Sequence, residues 1–507
     1  MKKNFMTVAA MAVVAFFVST EIAKAADISF SGQIRTRWES NEQSGGNTAA
    51  SPGFNNEADD NIFSSVRLAA TANINETTSA FIQLQSTRNW GNAASGSGAT
   101  GAGEGNASNT VNDNDSSVGV HQAYFTLKNF GNLPIAMDAK VGRQEIILDG
   151  HRLFGNTIWT AGMQSHDAIR LNHKHDNMTL SLAYILAQED GRNIDLNDAN
   201  DQDVFLAYFN LKGVLGGQFS AIYAYVDQGC GGVTAAATVS VGCSTGENNF
   251  STIGGRQAGQ LFGLDYRGEV YYQFGRADGI ANGTTGSPET DRQAYMFGVR
   301  VGKTFNNVMF KPGVTLWYDY LSGTTDEDQR NGDWNSFNTL FDTGHKFYGL
   351  QDVFLGVGNG NSAGTRGLGL QDLAIKFKLN PMPGWTLKLA AHAFAVAESA
   401  QANTTTAGFG SVHTSTSQNN NGAYLGNEFD LTLVNKYNAN TNVMIGYSNF
   451  NGTNTFKAIK NQTPGTSAGG GLKAGAADAN WFYVQFDVKR SEERRVGKEC
   501  RSRWSPY

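Results

Sequence analysis

The chain has 507 residues, with 60 Gly, only 8 Pro, and Lys+Arg 39 against Asp+Glu 45 for a net charge of −6. That length could supply two or three soluble domains, yet no linker-like change of composition divides it and helical periodicity is almost absent. One large continuous β-structure answers better to the high Gly, Asn, Thr and aromatic content, and no nucleic-acid partner is expected of so acidic a chain.

Residues 1–25 read as a secretory signal. Lys2 and Lys3 form the charged start, residues 8–18 the apolar run, and Ala23-Lys24-Ala25 the cleavage site. The apolar run is too short to span a bilayer as a helix, and no later stretch is long enough. Export without a helical anchor leaves a periplasmic, secreted or outer-membrane destination, and the lysine-led signal points to a Gram-negative bacterium. The other end, 490–507, reads R-S-E-E-R-R-V-G-K-E-C-R-S-R-W-S-P-Y, dense in charge and without alternation. It resembles an in-frame translation of a sequencing adapter; the other reading is a basic, disordered tail. The mature barrel is therefore expected over 26–489. With Cys500 set aside, Cys230 and Cys243 remain, an even pair that in an exported chain reads as a disulfide.

Between those ends the sequence alternates apolar and polar residues in about eighteen runs. They lie at 28–38, 65–74, 80–86, 122–128, 135–142, 168–172, 178–186, 204–211 and 219–225. The series continues at 260–266, 270–274, 294–302, 309–321, 372–379, 385–394, 428–434, 443–448 and 480–489. In the last run Phe482, Val484, Phe486 and Val488 share one face, and Tyr483, Gln485, Asp487 and Lys489 the other. The connections alternate between short (75–77, 172–177, 267–268, 380–384) and long (39–61, 88–117, 227–256, 322–366, 395–424). A soluble sandwich has no reason to keep that parity. A transmembrane antiparallel up-and-down barrel does, with short periplasmic turns, long extracellular loops, an apolar face on outer-membrane lipid and a polar face on a wet lumen.

Placing the apolar alternates on lipid turns Arg35, Arg37, Arg67, Lys140 and Arg170 inward, with Arg300, Lys311, Lys376, Lys378 and Lys388. Asp138, Asp265, Asp319, Asp372, Glu428 and Asp430 join them. The wall then has a basic excess, which is what an anion pathway needs; cross-strand mutual pairing of these charges is the other reading. No cofactor is expected, since the eight His do not cluster as metal ligands. His166 and His392 lie near hydroxyl side chains, but no spacing indicates catalysis. The chain is read as a non-enzyme.

The stretch 141–171 (V-G-R-Q-E-I-I-L-D-G-H-R-L-F-G-N-T-I-W-T-A-G-M-Q-S-H-D-A-I-R-L) resembles the alginate-export family of outer-membrane barrels. So do 337–352 (F-N-T-L-F-D-T-G-H-K-F-Y-G-L-Q-D) and 426–431 (G-N-E-F-D-L). The resemblance implies a monomeric eighteen-stranded barrel passing anionic polysaccharide through an arginine-rich constriction. It makes Arg143, Arg152, Asp167 and Arg170 constriction candidates, with Glu428 and Asp430 as counter-charges. Arg143 falls on the lipid side by parity, so this role requires a bulge at Gly142. The expected function is a passive channel for anionic solutes, acidic sugars or polysaccharide. The alternatives are a general small-solute porin and a loop-presenting structural barrel or adhesin.

Overall fold

A computed structural model describes residues 27–42, 59–90, 118–132, 135–188, 202–230, 246–278, 290–356, 364–365, 367–398, 422–456 and 478–490. The expected signal 1–25, the tail 491–507 and Cys243 lie outside these residues. No described helix is long and apolar enough to cross a membrane.

The chain forms a closed barrel. Its strands run β1 (Asp27–Asn41), β2 (Asp59–Asn73), β3 (Thr78–Asn89), β4 (Gly119–Leu127), β5 (Asp138–Gln144), β6 (His166–His175) and β7 (Met178–Gln188). Then come β8 (Gln202–Val214), β9 (Gly217–Cys230), β10 (Gly246–Glu247), β11 (Phe250–Leu261), β12 (Leu264–Arg276), β13 (Asp291–Thr304), β14 (Gly313–Leu321) and β15 (Asp333–Trp334). The wall is completed by β16 (Leu370–Leu379), β17 (Trp385–Ala395), β18 (Tyr424–Lys436), β19 (Thr441–Gly452) and β20 (Asp478–Arg490). The two-residue β10 and β15 lie outside the ring, leaving eighteen antiparallel wall strands, and β1 pairs with β20 to close it, Trp38 opposite Val484. Closure removes both sheet edges, so the backbone groups of every wall strand find partners without water.

Period two assigns the faces. On β2, Leu68 is 56% exposed and Arg67 7%. On β20, Phe486 and Val488 point out while Tyr483 and Gln485 are buried inside. Outward aromatics stack along the wall, Tyr295 on Tyr320 at 5.7 Å and Phe297 on Tyr320 at 5.2 Å. A continuous exposed apolar face is stable only against lipid.

Three expectations change. The hairpin joining β11 and β12 turns at Phe262–Gly263, so Arg267 and Gly268 are mid-strand rather than a turn. Strand β14 begins at Gly313, which puts Lys311 in the exposed 305–312 turn, at the rim rather than in the lumen wall. The lumen is not simply wet. Ile185, Val204, Leu206, Ile222, Val226 and Met296 face inward and pack with Leu148, Leu153, Phe154, Phe347, Val353 and Phe354 from the segments 145–165 and 322–369. The described residues of those two connections fold back into the barrel. Each such side chain removed from water contributes about 1.5–3 kcal/mol, so the plug is a core.

Candidate functional site

The plug is tied together first. Gly155 N donates to Phe341 O at 2.8 Å, Phe341 N to Leu153 O at 2.9 Å, and Thr343 N to His151 O at 3.0 Å. Phe154 and Phe341 form a parallel bridge. Arg152 then fastens it to the wall. Its Nε donates to Glu269 Oε1 at 3.0 Å, Nη2 to Asp319 Oδ2 at 2.5 Å, and Nη1 to the Tyr348 hydroxyl at 3.0 Å. Arg267 adds a second cation 2.9 Å from Glu269. Arg152 was expected at a constriction; its donors are occupied in holding the plug.

The other arginines near β1 act similarly. Arg35 donates to the carbonyls of Ile158 and Thr160, and Arg37 Nη1 donates to Trp159 O at 3.2 Å. Trp159 lies between the Arg37 guanidinium, 4.2 Å from its ring centre, and the parallel ring of His345, also at 4.2 Å. Arg67 is buried on the same inner face. Glu428 accepts from the backbone amides of Leu350 at 2.6 Å and Gln351 at 2.9 Å. Asp430 accepts from Ser448 at 2.6 Å, and His392 lies 2.8 Å from Asp372. As placed, Glu428 serves as an anchor for 322–369 rather than a counter-charge to the arginines.

Arg143 and Asp167 correct the constriction expectation. No register shift occurs at Gly142, so Arg143 stays on the outward face opposite Asp167. The two form a bidentate pair, Nε to Oδ1 at 2.9 Å and Nη2 to Oδ2 at 2.6 Å, with side chains 38% and 45% exposed. Gly142 is needed for another reason. Its φ is +121°, and a Cβ there would collide with the carbonyl oxygen of Ala123.

Three cations stand outside these pairs. Arg300 lies over the Trp317 ring at 3.0 Å and Lys376 at 4.1 Å from its centre. Lys346, on the plug beside Phe347, completes the group. Phe347 is 6.1 Å from Trp317 and 5.8 Å from Arg300. Burial, then the charge of Arg300, pushes the Lys346 ammonium down to about 8. None of these three side chains has a hydrogen-bonded or ion-paired partner among the described residues. Lys388 lies opposite Lys378 in the β16–β17 register, where like charges face each other. Across the barrel, nine strands away round the ring, Lys140 lies opposite Arg170. Arg170 donates to Ser181 at 2.6 Å, and the Lys140 ammonium lies 3.6 Å from the Tyr124 ring centre.

Glu269, Arg267 and Lys346 were missed. Glu269 and Arg267 follow from parity once the turn is placed at Phe262–Gly263. Lys346 lies in a segment without periodicity, and no local signal reveals it. The cysteine pair cannot be placed, because Cys243 lies outside the described residues. No group of three or more His, Cys, Asp or Glu among the described residues could hold a metal ion.

The fold is similar to the crystal structure of Acinetobacter baumannii OccAB2, at a TM-score of 0.52 and 10% identity over 92% of this chain and 98% of that one. It is also similar to OccAB1 of the same organism, at a TM-score of 0.51 and 12% identity over 92% of this chain and 96% of that one. At such identities the likeness is one of fold. No curated protein matches the sequence. The family model described as alginate export matches residues 26–468. The chain therefore belongs to the alginate export family, as an outer-membrane β-barrel channel of a Gram-negative bacterium.

Proposed function

We propose that the channel passes anionic solutes, acidic sugars or uronate polysaccharide, and selects them at the Arg300–Lys346–Lys376 group. The observation that carries this reading is the separation of the charges into two sets. Arg35, Arg37 and Arg152 are occupied with plug carbonyls, carboxylates or aromatic rings. Arg300, Lys346 and Lys376 have no hydrogen-bonded or ion-paired counter-ion among the described residues. Carboxylates recognised there would meet a planar guanidinium fork and two point-like ammoniums. Lys140 and Arg170 supply positive charge on the facing wall, and Lys378 and Lys388 extend it towards the turn end.

Reversal potentials in a salt gradient across a planar bilayer test the reading. Chloride permeability should exceed potassium permeability at low salt. The excess should shrink as the Debye length falls from about 30 Å at 0.01 M to about 3 Å at 1 M. Arg300→Glu and Arg170→Glu should lower or invert the preference, while the outward-facing Phe297→Leu should leave it alone. A uronate oligomer should block wild-type current more than either charge reversal. Cation preference in the wild type, or equal block throughout, would leave a general small-solute porin instead.

A further inference from the structure

The inward faces of β12 to β18 carry their charges in two bands. Glu269, Gly298, Asp319 and Asp372 are successive partners across β12, β13, β14 and β16. Glu428 on β18 stands opposite His392 on β17, and Asp430 follows two positions on. The cations lie nearer the short turns. Arg267 precedes Glu269 on β12 and is opposite Arg300, Lys376 and Lys378 follow Asp372 on β16, and Lys388 is opposite Lys378. The bands are covered differently. None of the five carboxylates is more than 5% exposed, whereas Arg300, Lys376 and Lys388 are partly exposed and Lys378 is exposed. Among the described residues of these strands, Asp265, beside the 262–263 turn, is the one inward carboxylate outside the band.

The cover is the plug. Arg152 takes Glu269 and Asp319. Leu350 and Gln351 give their amides to Glu428, and the plug backbone lies so close that a Cβ at Gly349 would collide with that carboxylate. Phe354 packs at 4.8 Å on Phe394, the partner of Asp372 in the β16–β17 register. With the plug displaced, Arg267 still holds Glu269. Asp319, Asp372, Glu428 and Asp430 then meet water, four carboxylates directly above the four cations Arg300, Lys376, Lys378 and Lys388. Acidic side chains lining a pore favour cations.

We propose that the plug sets specificity as an electrostatic shield, keeping Asp319, Asp372, Glu428 and Asp430 out of the pathway. This rests on the anion preference proposed above. Reversal potentials of the purified barrel in planar bilayers, read level by level, test it. The chloride-to-potassium permeability ratio should exceed one in the wild type. It should fall to one or below in the high-conductance level of Arg152→Met. Adding Asp372→Asn, Glu428→Gln and Asp430→Asn should bring that level back above one. Each amide keeps an oxygen where the carboxylate accepted, from Ser448 at Asp430 and from Leu350 and Gln351 at Glu428. A second route replaces 345–353 with glycine and serine of equal length, which uncovers Glu428 and leaves every wall strand intact. In whatever level that variant shows, the ratio should fall, and the same three amides should restore it. Loss of Lys346 also lowers the ratio there, but only an uncovered acid band lets the amides raise it again. A ratio that survives both removals of the cover, or that the three amides leave unchanged, would overturn the shield while leaving the proposed function standing. A wild type without chloride preference would overturn both.

Discussion

Removing the Arg152 guanidinium should undock the plug. Its two carboxylate partners, Glu269 and Asp319, have side chains with no exposed surface, at 2.9 Å and 2.5 Å from Nη2. Arg267 lies 2.9 Å from Glu269 and 3.9 Å from Asp319. Two cations face two carboxylates, so Arg152→Met leaves about one negative charge buried without compensation. Breaking a buried pair in this way costs about 3–5 kcal/mol. At about 1.4 kcal/mol per tenfold, the docked-to-undocked ratio should fall by two to three and a half orders of magnitude. Single-channel recording should then show frequent excursions to a larger conductance, and thermal melting should move down. Arg152→Met/Asp319→Asn restores the balance by leaving the Arg267–Glu269 pair intact, and should recover most of both. Wild-type conductance and melting in the single variant, or a double variant worse than the single, would refute the reasoning.

Lys346 should make anion preference pH-dependent. With its ammonium pushed down to about 8, the charge is present at pH 6 and lost as pH rises through 8, so reversal potentials should drift towards neutrality by pH 9, with a flatter profile in Lys346→Arg. Arg143→Leu/Asp167→Leu removes an outward, half-exposed pair; selectivity should not change, and melting should not fall, since leucine suits a face that meets lipid. Cys230 and Cys243 are expected to be joined in a ring worth about 3 kcal/mol on the loop-entropy scale, and two freely alkylated thiols in native protein would end that expectation. Arg490 closes β20 opposite Gly32, at a position where the outward apolar series Phe482 to Val488 calls for an aromatic. Resequencing the locus should return such a residue followed by a stop, and genomic codons for 491–507 would refute it.

The wall was legible because lipid on one side forces every second residue to be apolar, a rule local enough to survive without knowledge of the partners. Legibility failed where that rule was interrupted. The glycines at 254, 255 and 259 break the alternation of β11, and Phe262 is not a usual residue for the first position of a hairpin tip, so the sequence pattern puts the turn at Arg267–Gly268. Parity also states which side chains point inward without stating what they meet. Ile185 and Val226 were compatible with a lumen face only once the plug was there to cover them. Arg152 finds Glu269, 117 positions away in the chain, through the insertion of a segment that has no periodic pattern of its own.

Plug and selectivity group are not independent. Lys346 belongs to the same inserted segment as Phe347 and Tyr348, and those two rings lie 3.7 Å and 5.6 Å from the Arg152 guanidinium carbon. Arg300 and Lys376, by contrast, are fixed on wall strands β13 and β16. Any motion that frees Arg152 from Glu269 and Asp319 therefore carries one of the three cations away and leaves two behind. The widened pathway also admits more water and screening ions, which weakens the field of those that stay. Larger conductance and sharper anion preference cannot then be gained together. The high-conductance excursions of Arg152→Met should be less anion-selective than the docked state. Equal selectivity in the two levels would mean that Lys346 contributes nothing at the constriction.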